Sequence, residues 1–333
     1  MNNKRILIIG GAGFIGINFT KLILRKKKFK SVFVLDDLRK GSDKKNLDRI
    51  SRNYNDKYKF IKEDICKFSK INQIINDYKF NYIVNFASES HVDRSIKNPK
   101  KFITTNVMGI LSILEAFRTL SDNSKFKPRL HNVSTDEVFG SLNINDKPFD
   151  ENSPYYPRSP YSASKASSDH IVYSYKKTFG LDISFSNCCN NYGPFQDKEK
   201  LIPKIITNCL NFSNIPIYGR GKNIREWIHV DDHNKAIMKI LNKKNKEKYR
   251  FLIGGDFSIS NIKLAKLICN FFNENYNTQN KNYLNLISYV PDRLGHDFRY
   301  AINSTKTNNY LNWKPKIQFK KGLQKTIRWY ANQ

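Results

Sequence analysis

A glycine-rich turn near the amino terminus constrains this chain more than any other feature. Lys4 to Ile9 is a β-branched apolar run that ends on Gly10-Gly11-Ala12-Gly13-Phe14-Ile15-Gly16. Phe14 to Leu24 then carries helical periodicity. Glycines at 10, 13 and 16 carry no side chains, so the backbone can turn tightly and a diphosphate can approach the helix N-terminus. The spacing is Gly-x-x-Gly-x-x-Gly, set between a strand and a helix. Asp36 closes the next strand, 20 residues after Gly16. An acidic side chain there can bind adenosine ribose hydroxyls and would repel a 2′-phosphate, which favours NAD over NADP. Arg39 is the nearby charge that pulls the other way.

Beyond the turn, strands and helices alternate. Strand-like runs are Ser31 to Leu35, Phe60-Ile61 leading to Asp64, Tyr82 to Phe86, Leu130 to Val133 and Ile183 to Asn187. Helical stretches are Ile71 to Tyr78, Phe102 to Leu120 and Tyr161 to Thr178. This alternation means βαβ units, hence an α/β fold with a doubly wound parallel sheet. From about Asp197 the alternation breaks, and Pro216 to Tyr218 and the Pro291 to Tyr300 loop suggest a smaller C-terminal α/β lobe. The expected division gives residues 1–197 to a nucleotide-binding domain, with 225–258 returning to it, and 198–224 plus 259–333 to a substrate lobe.

Composition removes several function classes. The chain has 333 residues, 39% of them hydrophobic, which supports a large core and excludes wholesale disorder. No run approaches the roughly 18 apolar residues of a membrane helix. The most apolar early run, Ile6 to Ile17, holds four glycines. The expectation is a cytoplasmic protein with no membrane partner. Formal net charge is +29, spread along the chain. The densest basic clusters, Arg25 to Lys30 and Lys243 to Arg250, do not alternate with aromatics as a stacking platform would. The charge therefore reads as solvated surface, with no nucleic-acid partner and some attraction for anionic small substrates. Five cysteines are odd in number and form no Cys-x-x-Cys pair, against a disulfide framework or thiolate zinc site. His229 and His233 are four residues apart but lack the His-Glu-x-x-His order, so no metal is expected. No Gly-x-Ser-x-Gly elbow is present for a serine hydrolase.

Two short motifs carry chemistry. Tyr161-Ser162-Ala163-Ser164-Lys165 puts a phenol and an ammonium one helical turn apart, after Ser159 as N-cap and Pro160 at the first helical position. A free phenol has a pKa of about 10, but a neighbouring lysine and an oxidised nicotinamide can lower it. Tyr161 could then take a hydroxyl proton while hydride leaves the same carbon. Ser134-Thr135-Asp136-Glu137 follows Leu130 to Val133, at the carboxyl edge of the sheet where α/β sites sit. The two carboxylates suit an acid and a base working on neighbouring carbons, or else a solvated turn.

Together Gly10 to Gly16, Glu89 to Ser95, Ser134 to Gly140, Ser159 to His170, Asn187 to Pro194, Lys200 to Pro203, Pro216 to Gly219, Arg225 to Asp232 and Asp292 to Ile302 run nearly end to end. In these segments the chain resembles the extended short-chain dehydrogenase/reductases. Within them it is most similar to the nucleotide-sugar 4,6-dehydratases, of the dTDP-glucose type. The resemblance implies a Rossmann-like domain, tightly bound NAD, a nucleotide-sugar substrate and a homodimer built on Phe102 to Leu120 and Tyr161 to Thr178. It implies loss of water to give a 4-keto-6-deoxy sugar for deoxysugar synthesis, such as that of rhamnose. It gives Tyr161 and Lys165 the 4-hydroxyl proton, Glu137 the C5 proton, Asp136 the departing 6-hydroxyl and Thr135 the 4-hydroxyl region. Implied cofactor contacts are Gly10, Gly13, Phe14, Ile15, Gly16, Asp36, Arg39, Asp64, Ile65, Phe86, Ala87, Ser88, Thr105, Tyr161, Lys165 and Asn191. Implied substrate contacts are Ser90, Thr135, Asn190, Lys200, Leu201, Pro216, Ile217, Tyr218, Arg225, Asn261, Asp292, Arg293 and His296. Departures from the family pattern fall at Asp37, Arg39, Phe86, Ser88, Leu252 and Leu294, on the cofactor edge and substrate lobe. The nucleobase stays open between dTDP, UDP and CDP. An epimerase is the enzyme alternative, and a catalytically silent NAD-binding regulator is the alternative outside enzymes.

Overall fold

A computed structural model describes residues 3–123, 125, 127–243, 247–276 and 282–333. The basic cluster Lys243 to Arg250 lies partly outside the described residues, at 244–246.

The first winding comprises β1 (Arg5–Ile9), α1 (Phe14–Lys26), β2 (Ser31–Asp36), α2 (Lys44–Ser51), β3 (Tyr58–Lys62), α3 (Phe68–Tyr78) and β4 (Tyr82–Asn85). The second comprises α4 (Val92–Lys97), α5 (Pro99–Ile103), α6 (Gly109–Asn123), β5 (Arg129–Thr135), α7 (Pro160–Phe179) and β6 (Ile183–Cys188). After it come β7 (Asn190–Tyr192), α8 (Leu201–Leu210), β8 (Ile215–Tyr218), β9 (Ile224–His229), α9 (Val230–Asn242) and β10 (Arg250–Ile253). The chain closes with β11 (Ser258–Ser260), α10 (Asn261–Asn275), β12 (Ile287–Val290), α11 (Thr305–Leu311) and α12 (Phe319–Ala331).

Among the described residues, one seven-stranded sheet has the order β10-β6-β5-β4-β1-β2-β3. Its pairings are parallel throughout. β1 is an interior strand, and Ile8 lies beside Val34 on one side and Val84 on the other. A strand covered on both faces needs apolar residues at every position, not alternation, and Ile6, Leu7, Ile8 and Ile9 are all fully buried. The two-residue period then divides them. Ile6 and Ile8 join a core with Ile17 and Phe19 of α1 and Ile237 of α9. Leu7 and Ile9 join a second core with Ile71 and Ile75 of α3 and Ile113 and Phe117 of α6. Each such buried side chain stabilises the fold by about 1.5–3 kcal/mol. Strand order reverses between β1 and β4, and this opens a crevice at their carboxyl ends.

Two expectations change in detail. The helix foreseen over Phe102 to Leu120 is not regular: a π-turn at Thr104–Met108 separates α5 from α6. The widened turn lets Asn106 accept from the Glu89 amide (2.8 Å) and donate to Ser164 Oγ (2.8 Å). It also presents Thr105 to the crevice. Beyond Asp197 the chain is more regular than its sequence suggests. α8, α10 and α12 enclose a third core of Ile202, Ile205, Leu264, Ile268, Leu323 and Ile327. That core also contains β8, paired in parallel with β12, while β10 returns to the edge of the main sheet.

Candidate active site

The glycine turn works as its spacing implies. Gly10 has φ +73°, and a Cβ there would lie 2.5 Å from the Ala87 amide nitrogen. A Cβ on Gly16 would lie 2.1 Å from the Gly10 carbonyl oxygen, so α1 packs directly on the turn. Gly13, whose nearest neighbour to a Cβ would be the Gly10 carbonyl oxygen at 3.4 Å, lines the cleft with them. Asp36 ties the turn to the next loop: it accepts from the Ala12 amide (3.0 Å), the Leu38 amide (2.8 Å) and Ser42 Oγ (2.8 Å).

Arg39 is held by acidic neighbours. Its guanidinium meets Asp37 at 2.5 Å, Asp64 at 2.7 Å and Glu89 at 3.5 Å, and it donates to Thr105 Oγ1 at 2.9 Å. A cation so surrounded is neutralised, and a 2′-phosphate placed beside it would meet Asp36 and three further carboxylates. Asp64 lines a neighbouring hollow with Cys66, Lys100 and Lys101.

One continuous cleft runs from this turn to the ends of β5 and α7. Gly10, Gly13, Phe14, Ile15, Gly16, Asp36, Arg39, Ile65, Phe86, Ala87, Ser88, Thr105 and Asn191 line it. At its far end stand Ser90, Thr135, Asp136, Glu137, Tyr161, Lys165, Asn190 and Lys200. Leu201, Pro216, Ile217, Tyr218, Arg225, Asn261, Asp292, Arg293 and His296 stand outside that lining. Ile217 is buried in the third core. Arg225 is also buried and donates to the carbonyls of Ile224, Asp297 and Phe298. Tyr218 reaches Asp93 (3.1 Å), and His296 reaches Asp292 (2.7 Å).

α7 positions Tyr161 and Lys165. Ser159 caps it, with a reciprocal capping box to Ser162 and Pro160 in the first turn. Lys165 Nζ donates to the Val133 carbonyl at 2.8 Å, which locks the helix against β5. Burial holds the Tyr161 phenol well above its ordinary pKa, and the Glu137 charge adds to this. A hydrogen bond with Thr135 works in the opposite direction.

Asp136 and Glu137 occupy a single helical turn after β5, with Thr135 as its N-cap. Burial raises the pKa of Asp136 well above its ordinary value, and Glu137 and Glu226 push the same way against Arg225. Glu137 is also raised by burial, but Arg293, Arg225 and Lys200 all draw it down. Adjacent carboxyls are thereby separated: Asp136 favours the acid form, and Glu137 has the cations that favour a base. Asp136 Oδ2, Asn190 Oδ1 and Asn191 Oδ1 are buried without partners. Unpaired buried acceptors at a cleft fit a ligand that brings hydroxyl or amide donors.

Sequence reasoning did not single out Tyr300, Asp297 or Glu199. The Tyr300 hydroxyl lies 2.5 Å from Asp297 Oδ2 and 3.5 Å from Glu137 Oε2. It arrives there because Leu142 and Phe149, in the loop beyond Glu137, bridge to Arg299 and Ile302. Glu199 pairs with Lys40 and Arg94 across the cleft. A contact across 163 positions leaves no periodic trace, whereas the acidic residue beside Lys200 could have been noticed.

With this geometry in view, the comparisons are specific. The family model described as GDP-mannose 4,6 dehydratase matches residues 7–326. The dTDP-glucose 4,6-dehydratase 1 of Escherichia coli K12 is 41% identical, over 98% of this chain and 93% of that protein. A solved dTDP-glucose 4,6-dehydratase of Streptomyces venezuelae, DesIV with NAD and TYD bound, superposes with TM-score 0.89. It is 36% identical over 98% of this chain and 97% of that one. The UDP-glucose 4-epimerase of Thermotoga maritima has TM-score 0.84 but 24% identity, over 98% and 99%, which speaks for the fold alone. The chain belongs to the GDP-mannose 4,6 dehydratase family and groups within it with the dTDP-glucose 4,6-dehydratases.

Proposed function

We propose that this chain is an NAD-dependent hydro-lyase that converts dTDP-glucose to dTDP-4-keto-6-deoxyglucose and water. The observation that carries the reading is the meeting of Tyr161 and Lys165 with Asp136 and Glu137 at one end of a cleft whose other end is the glycine turn. The residues fit NAD: Gly13 leaves room at the helix N-terminus, Asp36 is poised for ribose hydroxyls, and Asn190 and Asn191 keep unpaired acceptors. Bound NAD supplies an acceptor for hydride from C4, which later returns to C6.

The chain's own groups move the protons. Tyr161 takes the 4-hydroxyl proton as the phenolate, a form that burial and the Glu137 charge oppose in the protein alone and that the positive charge of a bound oxidised nicotinamide would favour, with Lys165 one turn away on the same helix. Thr135, hydrogen-bonded to Tyr161, orients that hydroxyl. Once C4 is a ketone, the C5 hydrogen is acidic and Glu137 removes it. Asp136, kept protonated by burial, gives its proton to the 6-hydroxyl, which leaves as water. Glu137 returns its proton to C5. The proton that Tyr161 gained equals the one that Asp136 gave to water, and exchange with solvent resets both groups before the next turnover. The substrate lobe, 198–224 with 259–333, holds the nucleotide through Lys200 and Arg293, whose charges suit a diphosphate. Residues 1–197 with 225–258 hold the cofactor.

The same reading includes a homodimer. Ile110, Ile113, Leu114 and Phe117, at helical spacing on α6, are spent on the subunit's own core. Ile103, Met108, Tyr173 and Phe179 remain exposed along α5 to α7 and are the apolar surface open to a second copy. Sedimentation at micromolar concentration should give twice the chain mass; a monomer would remove this element.

Incubation with dTDP-, UDP- and CDP-glucose tests the function. The expected result is a 4-keto product lighter by one water, formed fastest from dTDP-glucose, with no net consumption of cofactor. Failure of all three sugars to lose water would overturn it.

A further inference from the structure

Asp169 is a buried carboxylate to which neither motif assigns a role. It follows Lys165 by one turn of α7 and is 1% exposed. Its Oδ2 accepts three hydrogen bonds: from Ser134 Oγ (2.8 Å), Asn187 Nδ2 (2.8 Å) and the Tyr155 hydroxyl (2.9 Å). Its Oδ1 is buried without a partner. Asn187 also donates to the Thr135 carbonyl at 3.2 Å. The carboxylate therefore holds, directly and through Asn187, the two residues that precede Asp136.

We propose that Asp169 is a positioning residue: it is the counter-charge of Lys165 and the anchor that joins the Tyr161–Lys165 helix to the strand end bearing Thr135, Asp136 and Glu137. The proposal rests on the dehydratase reading of the same site. One turn apart on α7, Lys165 reaches the Val133 carbonyl (2.8 Å) and Asp169 reaches Ser134 Oγ (2.8 Å), the next residue of β5, so the two buried charges face one strand end without a direct ion pair. Burial lowers the Lys165 pKa, and among the charges that oppose this Asp169 comes first, with Cys188 of β6 after it. Burial raises Asp169, and Lys165 is the main charge that draws it down. The other groups around it are Ser134 from β5, Asn187 from β6 and Tyr155 from the segment before α7. Arg250 of β10 lies over the Tyr155 ring at 4.8 Å, and His170 packs on the same ring at 5.3 Å. Arg250 thus stands behind Tyr155.

Asp169→Asn keeps the size and an acceptor oxygen but removes the charge. In dTDP-glucose turnover, the alkaline limb of the kcat profile, where Lys165 loses its proton, should move about one pH unit lower with KM little changed. Asp169→Glu should keep the limb at its wild-type pH even if kcat falls. The Lys165 ammonium is followed separately by nitrogen NMR of lysine-labelled protein without substrate, with Lys165→Met for assignment. It should titrate at lower pH in Asp169→Asn. If the wild type makes no 4-keto product, the dehydratase reading fails, and the NMR titration still decides the charge relation. Superimposable titrations, or a loss of kcat equal at every pH with Lys165 unmoved, would overturn the proposal.

Discussion

The two halves of the catalytic centre are built differently. Tyr161 and Lys165 project from a 20-residue helix whose start is fixed by a capping box and whose lysine is bonded to β5. Asp136 and Glu137 sit on a turn of four residues, held by the Thr135 cap and by bridges to the 299–302 segment. On the proposed reading, the helix presents groups for hydroxyl oxidation in a fixed register with the cofactor cleft. The turn would present a proton donor and acceptor whose difference comes from nearby cations and carboxylates. One scaffold would then supply the oxidation, and a short excursion from it would add the elimination. The Thermotoga maritima epimerase shares the fold at TM-score 0.84, so the fold by itself does not decide the reaction.

Several substitutions would break or sharpen this contrast. Tyr161→Phe strikes the helix half and removes the acceptor for the 4-hydroxyl proton. Single-turnover absorbance of reduced cofactor should slow by about 10²- to 10⁴-fold. An unchanged rate would remove Tyr161 from the oxidation. On the turn half, Arg293 is the first of the cations that lower the Glu137 pKa. In Arg293→Gln that pKa rises, so the ionised base needs higher pH. The acid limb of C5 proton exchange with solvent should move up by about one unit, roughly tenfold at fixed acidic pH. An unmoved limb would separate Arg293 from the base. At the cofactor end, calorimetry should show NADP binding at least about tenfold weaker than NAD, because its extra phosphate meets Asp36, Asp37, Asp64 and Glu89. Equal affinities would mean that Arg39 swings free of its acidic partners.

A further test concerns the scaffold under both halves. His233 of α9 is fully buried, its ring nitrogens have no partner, and burial pushes its pKa down to about 3 from 6.5. Between those values the unfolded chain binds a proton that the folded chain refuses, so stability falls as pH drops from 6.5 towards 3. The slope is about 1.4 kcal/mol per pH unit. His233→Leu should remove that share of the slope, measured by urea unfolding at pH values from about 6.5 to 5. Parallel slopes for the two proteins would contradict a neutral buried imidazole.

Much of the nucleotide half is legible in the sequence because its signals are local. The run Lys4 to Ile9, the three spaced glycines and Asp36 at a strand end each act within a few residues of themselves. Ser159 and Pro160 announce α7 in the same way. The substrate lobe is less legible. β7 and β11 have only three residues each, too few to show a period. The apolar spacing of Leu264, Ile268 and Phe272 does mark a helix, α10. Tyr300 reaches Glu137 only because two distant segments bridge, and the commitment of Arg225 to backbone carbonyls is likewise tertiary. The π-turn at Thr104–Met108 has no breaker residue, since Asn106 widens it by bonding Glu89 and Ser164 from elsewhere in the chain.

The central claim is that oxidation and elimination are served by separate groups, and Glu137→Gln tests it most directly. The substitution removes the C5 base and leaves Tyr161, Lys165 and the cofactor cleft intact. Mixed with dTDP-glucose, the variant should build up the absorbance of reduced cofactor with an enzyme-bound 4-keto-hexose, while release of water falls by about 10²-fold or more. Wild-type turnover with no accumulation of reduced cofactor would contradict the account and return the site to an epimerase-like reaction.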